Sequence, residues 1–383
     1  MCIRDRYKVS LSRQTYEEYF ARIKSGDPSK LVVIIDEAQF VAKRDASFME
    51  AVAKLKKHKL YPGPVLIILA TSSTVWATQE AAEQFKGAKM KIESLNFLEV
   101  VRHFESLPVA EIVRIYGAIG GVPAYLDKWD AAKSFKDNIC RLVLTPSGAL
   151  YGEADAVISS ELRELSAYST ILAAIARGEN KLNDIFHATG FSRAKISVYL
   201  KNLATFNIVE KVVSFETGGW ENAKKGVYQI KDTFVNFWFK FVYPNMSNLY
   251  LLSPEEFYDT YIEKELDAYL ERYFREVCTE YLLILNQMGQ LPFTIKRVGT
   301  WIGKTGRIDI VAQSEDRRSI IGFCNWDKPM MTMDMCENMA MAMEQARLTS
   351  DDYYLFSATD FEPALQSYVV RDPRFKLINM NEL

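Results

Sequence analysis

The stretch Leu31-Val-Val-Ile-Ile-Asp-Glu-Ala-Gln39 joins an unbroken, β-branched apolar run to two adjacent carboxylates. An apolar run with no polar alternation is the pattern of a parallel strand buried on both faces. Working outward, Ala46 to His58 carries helical periodicity, and Val65-Leu-Ile-Ile-Leu-Ala70 is a second apolar run, closed by Thr71-Ser-Ser-Thr74. Strand, helix, strand in this order predicts a parallel crossover unit, because parallel neighbours cannot be joined by a tight turn. Upstream, Tyr16 to Lys24 reads as an amphipathic helix ended by Gly26-Asp-Pro28. The opening residues Met1-Cys-Ile-Arg-Asp-Arg6 enter it without a cap or a preceding strand. They read as a translated adapter scar, so the natural N-terminus is expected upstream.

The carboxylates fall at the carboxyl end of a parallel strand, where ligands sit in open α/β sheets. An apolar run followed by Asp-Glu is the Walker B pattern. In that pattern Asp36 would hold Mg²⁺ through its water shell, and Glu37 would act catalytically, orienting or deprotonating the water that attacks a γ-phosphate. The alternative is an acidic helix N-terminus with Asp36 as its N-cap. Thr71-Ser72-Ser73 places hydroxyls at the end of the next strand, where a P-loop ATPase carries a polar sensor of the γ-phosphate. Helix capping by the same hydroxyls is the alternative there.

Farther along, Phe97 to Trp129 is helical with a break at Gly120-Gly-Val-Pro123, and Thr145-Pro-Ser-Gly148 provides a loop. Three helical stretches follow, Ser160 to Arg177, Lys181 to Thr189 and Ser192 to Phe206, and then two short strands, Ile208 to Phe215 and Gly226 to Ile230. Three helices and a hairpin predict a winged helix. An aromatic-dense segment, Asp232 to Tyr243, leads to a long helix from Pro254 to about Leu285. Strands are expected at Phe293 to Val298, Gly306 to Ala312 and Ser319 to Cys324, then a helix from Met333 to Leu348 and a last strand at Asp352 to Ser357. Met335, Met339 and Met343, spaced by four, read as the buried stripe of that helix and not as a metal site.

A length of 383 residues suits two to three domains at about 150 residues each, and 49% hydrophobic residues supply several cores. A net charge of −2 excludes a globally basic nucleic-acid coat and an acidic solvating tail. Five cysteines without a C-x-x-C pair, and three histidines, signal neither a disulfide framework nor a zinc site. The run Val65 to Ala70 is far short of the roughly 20 residues that span a bilayer, and no leader pattern opens the chain, so a soluble, cytoplasmic protein without a membrane partner is expected.

Two further groupings carry possible chemistry. Ser192-Arg-Ala-Lys-Ile-Ser-Val-Tyr-Leu-Lys201 is a candidate recognition helix, with Arg193, Lys195 and Lys201 on polar positions suited to the phosphates of double-stranded DNA. The same module holds Glu161, Glu164, Glu179 and Asp184, so a protein-packing role stands beside it. The last module has the spacing of a restriction-endonuclease-like fold, with Glu271 and Glu276 on a helix and Asp309 on a strand. Two carboxylates and a lysine serve metal-assisted phosphodiester hydrolysis. Here the next strand reads Gly322-Phe-Cys-Asn-Trp326, in which Phe323 cannot ligate a metal and Asn325 cannot supply a lysine's charge. A dead nuclease is expected, with Glu276 and Asp309 as remnants or Asp309 as a structural carboxylate.

Val33-Ile-Ile-Asp-Glu-Ala-Gln39, Leu69-Ala-Thr-Ser-Ser73, Tyr116-Gly-Ala-Ile-Gly-Gly-Val-Pro-Ala-Tyr-Leu126, Tyr228-Gln-Ile-Lys-Asp232, Phe237-Trp-Phe-Lys-Phe-Val-Tyr-Pro-Asn245 and Ile308-Asp-Ile-Val-Ala312 occur in one order. That order resembles the archaeal-type ATPases, AAA-like P-loop proteins with a C-terminal domain of unknown function, from about Tyr7 onward. The resemblance implies Asp36 and Glu37 as the Walker B pair, Ser72 as the first sensor, Gly121 and Pro123 as a turn abutting the nucleotide, and ATP with Mg²⁺ as cofactors. It implies an α/β chain in four parts: a partial P-loop ATPase core over 1–97, a helical subdomain over 98–152, a winged helix over 153–232 and a nuclease-like domain over 233–383.

The chain departs from that family at several places. The Gly-Lys-Thr phosphate cradle should lie upstream of Asp36, and none of the 35 preceding residues fits it. Gly299-Thr-Trp-Ile-Gly-Lys-Thr305 has three residues between its glycines instead of four, and leads into a strand where a phosphate loop needs a helix. Gly87-Ala-Lys89 stands where relatives resemble Gly-Arg-Arg, and Gly322-Phe-Cys-Asn-Trp326 where they resemble Gly-Glu-Cys-Lys-Trp. The resulting expectation is an ATP-binding switch protein unable to turn over ATP as given; the alternative is a winged-helix adaptor for DNA or protein with a degenerate nuclease domain.

Overall fold

A computed structural model describes residues 15–21, 30–56, 63–73, 75–84, 87–159, 162, 164–215, 226–303 and 306–382. The chain forms two compact units, Met1–Ile92 and Glu93–Leu383. No helix among the described residues is long and apolar enough to cross a membrane.

In the first unit, β1 (Leu31–Ile35) and β2 (Val65–Leu69) pair in parallel, Leu31 opposite Val65 and Ile35 opposite Leu69. The Ala46–Lys56 helix makes the crossover and buries Phe48, Met49, Val52 and Leu55. Phe48, Met49 and Val52 form a small core with Ala38 and Trp76, against which Ile35, Ile67 and Leu69 pack. The expectation of burial on both faces is corrected: Val32, Ile34, Leu66 and Ile68 are 52%, 67%, 57% and 42% exposed. Successive strand residues point to opposite faces, and the crossover helix covers one of them. A run that is apolar at every position carries no sign of which face that is. The Tyr16–Ala21 helix lies where a helix was expected to begin; Gly26-Asp-Pro28 and Met1 to Arg6 lie outside the described residues.

The second unit opens with the Phe97–His103 helix, whose N-cap Asn96 forms a capping box with Glu99. The Val109–Ile119 helix ends at Gly120, φ 69°, and Pro123 starts the short Pro123–Leu126 helix, so the Gly-Gly-Val-Pro break is where the sequence puts it. The Leu165–Ala176, Leu182–Thr189 and Arg193–Thr205 helices follow, then β3 (Val209–Val212) antiparallel to β4 (Val227–Ile230). Both strands are shorter than expected, and residues 216–225 between them lie outside the description. In the aromatic segment Phe234, Phe237, Trp238, Phe239 and Phe241 are buried, which makes its density a core feature. The long helix expected from Pro254 is two helices, Pro254–Tyr261 and Glu263–Gln287, with a bend at the fully buried Ile262.

A five-stranded sheet follows in the order β11, β9, β7, β6, β5, comprising β5 (Arg297–Ile302), β6 (Arg307–Gln313), β7 (Ser319–Asn325), β9 (Asp352–Ser357) and β11 (Phe375–Asn379). β7, β9 and β11 are parallel, and β5 and β6 antiparallel. Two corrections arise here. The first strand begins at Arg297 and not at Phe293, and Asp352–Ser357 is not the last strand, because the Pro363–Arg371 helix returns the chain to β11. β11 sits on the sheet edge and is only half-buried along most of its length, so its sequence lacks the dense apolar signal of an inner strand. Two-residue strands β8 (Met330–Met331) and β10 (Asp360–Phe361) pair beside the main sheet.

Both faces of this sheet are covered. Ile310, Ala312, Ile320, Tyr354 and Phe356 join the large core that includes Phe274 and Val277 of the Glu263–Gln287 helix and runs back to Phe97. Val311, Ile321 and Leu355 face Met339 and Met343 of the Met333–Ala346 helix and Leu365. Met339 and Met343 are buried and Met335 half-buried, as the spacing by four predicts.

Candidate functional site

At the carboxyl ends of β1 and β2 the backbone is stitched by two bonds: Ala70 N–H donates to Ile35 O (2.9 Å) and Ala38 N–H to Ala70 O (3.0 Å). Between them Asp36 and Glu37 form the turn into the Ala38–Ala42 helix. Glu37 sits in the left-handed region, φ 47° and ψ 43°. For a residue with a Cβ this conformation costs on the order of 1–2 kcal/mol, so side-chain contacts must hold it.

Those contacts converge on Glu37 Oε2. It accepts from Ser72 Oγ (2.9 Å), Ser72 N–H (3.2 Å) and Gln39 Nε2 (2.5 Å). Gln39 Nε2 also donates to Ser72 Oγ (3.2 Å). The Gln39 amide, and then the Ser72 donors, hold the Glu37 carboxyl below its ordinary range. Gln39 is 2% exposed, and its Oε1 has no hydrogen-bond partner among the described residues. Asp36 is exposed, and its Oδ1 accepts from Glu37 N–H (3.0 Å). The reading of Asp36 as a helix cap is corrected: the N-cap is Glu37, which makes no side-chain capping bond. Of the three hydroxyl residues, Ser73 serves helix geometry, its Oγ accepting from Trp76 N–H (3.3 Å), while Thr71 Oγ1 accepts from Ser73 N–H (3.0 Å). Only Ser72 turns toward the carboxylate of the neighbouring strand.

This donor set fits a hydrated Mg²⁺, which is ordinarily bound through one or two carboxylates, several waters and substrate phosphates. It does not make a protein cage, and no group of three or more His, Cys, Asp and Glu side chains gathers among the described residues.

The other residues singled out lie in the second unit. Gly121 is fixed by packing: its O accepts from Leu95 N–H (2.8 Å), and a Cβ on it would lie 1.8 Å from Leu95 O. Pro123 is the first residue of its helix, where its missing N–H costs nothing. Arg193, Lys195 and Lys201 are exposed along one helix capped by Ser192, whose Oγ accepts from Lys195 N–H. Two of them already have partners within the unit. Arg193 donates to Asn183 Oδ1 (2.6 Å) and lies over Phe186, and Lys195 lies over Phe191.

Glu276 and Asp309 are drawn into separate pairs. Glu276 accepts from Arg272 Nε (2.8 Å), one turn away. Asp309, 5% exposed, accepts from Arg275 Nε (3.0 Å) and Arg307 Nε (2.9 Å) through Oδ1, and from Cys324 N–H (3.1 Å) through Oδ2. Two guanidinium groups and a backbone N–H thus already match its charge and take up both of its oxygens. Asn325 is a buried hub, with Nδ2 donating to Lys328 O, Ser357 Oγ and Thr359 Oγ1.

Sequence reasoning gave no role to Gln39, Arg275 or Arg307. Arg307 stands two residues before Asp309, so an ion pair on one strand face was open to inference. Arg275 comes from a distant helix and left no such sign.

Comparison with known proteins finds a partial likeness and names no activity. Residues 238–343 match a family described as archaeal and bacterial proteins of unknown function. An uncharacterized protein of Methanocaldococcus jannaschii is 27% identical over 359 residues, covering 91% of this chain and 79% of that one. A crystal structure of a Vibrio cholerae protein aligns over 96% of this chain and 92% of its own at 11% identity, with a TM-score of 0.23, a likeness too slight to carry an argument.

Proposed function

We propose that the first unit carries the acidic side of a nucleotide site in an AAA-like, P-loop-type ATPase or molecular switch of the cytoplasm. The observation that carries this reading is the Glu37 carboxylate held by the Ser72 hydroxyl across the carboxyl ends of two parallel strands. In it Asp36 would hold Mg²⁺ through water, Glu37 would direct an attacking water, and Ser72 would register the phosphate through its bond to Glu37. Nucleotide with its Mg²⁺ supplies the phosphate chemistry. Residues 1–35 contain no Gly-Lys-Thr cradle, so most phosphate contacts are missing from this sequence and binding is expected to be weak, without turnover.

The second unit then acts as the responding part, with its three helices and hairpin as a winged helix and its five-stranded sheet as a nuclease-like scaffold. An adaptor for double-stranded DNA or a protein, with nucleotide incidental, is the alternative. The stacking of Arg193 and Lys195 on their own aromatics favours it less.

One titration decides between them. Calorimetry of Mg²⁺-ATP into the wild type is expected to show weak binding, at least tenfold weaker in Asp36→Asn. The nucleotide reading falls if Asp36→Asn binds as the wild type does, or if neither binds. A chain that ignores nucleotide but binds a 20-base-pair duplex in a salt-dependent way, weakened by Lys201→Ala, would establish the alternative.

A further inference from the structure

On the outer side of the five-stranded sheet, the Met333–Ala346 and Pro363–Arg371 helices flank an open groove of about 610 Å³. Its floor and walls are made by Met339, Ala340, Met343, Tyr353, Tyr368 and Phe375. The aromatic wall is pre-arranged: Tyr353 stacks on Phe375 with ring centres 4.3 Å apart, and Tyr368 meets Phe375 edge-on at 5.2 Å. Met339 and Met343 are buried in the core beneath, so the apolar area open to a ligand comes mainly from Ala340, Tyr353, Tyr368 and Phe375.

The unpaired charge in the lining of the groove is acidic, while Arg347 and Arg371 end the two flanking helices outside the lining. Glu337 and Glu344 line it, both exposed, and neither pairs with a cation among the described residues. The one basic side chain in the lining, Arg374, is already bound to Asp372 through two bonds (2.7 and 2.9 Å). Glu337 and Glu344 are seven residues apart on one helix, two turns or about 10 Å along its axis, which is also the repeat of side chains on one face of an opposing helix.

We propose that this groove docks a basic amphipathic helix of a protein partner, its apolar stripe on Ala340, Tyr353, Tyr368 and Phe375 and two Lys or Arg residues, two turns apart, on Glu337 and Glu344. The surface belongs to the second unit and does not depend on the nucleotide reading.

The test uses the full chain and a fluorescein-labelled, 18-residue amphipathic peptide of Leu and Lys, with a counterpart carrying Glu for Lys. Saturable one-to-one binding of the Lys peptide is expected, at least tenfold weaker for the Glu peptide and for the double variant Glu337→Lys/Glu344→Lys. Ala340→Trp, which fills the groove from an exposed position, should weaken the Lys peptide by a similar factor at any salt. With ¹³C-methyl methionine, the Met339 and Met343 signals should shift on binding, which a diffuse charge attraction would not cause. The proposal is overturned by absence of saturable binding, by wild-type affinity in Ala340→Trp, or by shifts confined to other methionines. A concentration-dependent dimer abolished by Ala340→Trp would also overturn it, by giving the groove to a second copy of the chain.

Discussion

Asp36 and Asp309 are both aspartates of an α/β sheet, and their surroundings separate them. Asp36 ends a strand in a two-stranded sheet covered on one face; it is exposed and receives a single backbone N–H. Asp309 lies within an inner strand of a sheet covered on both faces, with two guanidinium groups and a backbone N–H on its oxygens. Burying a carboxylate is tolerable only when its charge is matched and its lone pairs are occupied. A carboxylate satisfied in that way is unavailable to a metal or a substrate. Availability for chemistry therefore follows incomplete satisfaction at a sheet edge, not the presence of Asp on a strand.

The largest effect that could break this comparison is at Asp309. Asp309→Ala leaves Arg275, whose side chain is 14% exposed, without a counter-charge and Cys324 N–H without an acceptor. Removing one partner of such a pair costs about 3–5 kcal/mol. Asp36→Asn should cost no more than about 0.5 kcal/mol, as is usual for exposed positions. Urea unfolding of both variants measures this. An unmoved midpoint in Asp309→Ala would show that the arginines find water or other partners and that the carboxylate is not structural.

A middle-sized effect tests the two sheets themselves. Ile321→Thr puts a hydroxyl into the core between β7 and the Met333–Ala346 helix, where Ile321 is fully buried, and should cost about 2 kcal/mol or more. Ile34→Thr, on the open face of β1, should stay within about 0.5 kcal/mol. Trp76 is the one tryptophan in residues 1–92, so its signal after 5-fluorotryptophan labelling follows the first unit separately in the same urea series. A loss at Ile34 as large as that at Ile321 would mean that the open face is covered in solution.

How far the sequence could be read follows the same physical division. β1 and β2 stand where their unbroken apolar runs put them, and so does Asp352–Ser357, because a strand made of one continuous apolar run carries its signal in local composition. The open face of the small sheet was hidden by that very uniformity. β11 was missed because an edge strand needs few apolar residues and borrows its order from β9. At the candidate site, Glu37 and Ser72 were legible as the ends of adjacent strands. The bond between them and the part of Gln39 were not, since both depend on the left-handed turn at Glu37, which no residue type announces. The partners of Asp309 were hidden for a different reason: one arrives from a helix 34 positions earlier.

The smallest effect concerns Gln39 and separates holding a carboxylate from holding a fold. Its amide is the first cause of the lowered Glu37 carboxyl. A carboxyl lowered in the folded state adds stability that is fully present above its unfolded value, about 4.3, and is lost as pH falls through the folded value. Gln39→Leu removes that donor, so the Glu37 carboxyl should move up toward its ordinary value; the contribution present above about 4.3 shrinks, and with it the loss of stability on acidification below that pH. The same substitution removes Gln39 Oε1, a buried oxygen without a partner, and adds an apolar side chain of similar size. Stability at neutral pH should therefore change little while the titration of Glu37 moves, a split that a purely structural glutamine would not give. A ¹³C titration of the Glu37 carboxyl in wild type and variant reads it directly. If Glu37 titrates at the same pH in both, the Ser72 donors alone hold it, and the link between the two strand ends needs no help from the turn.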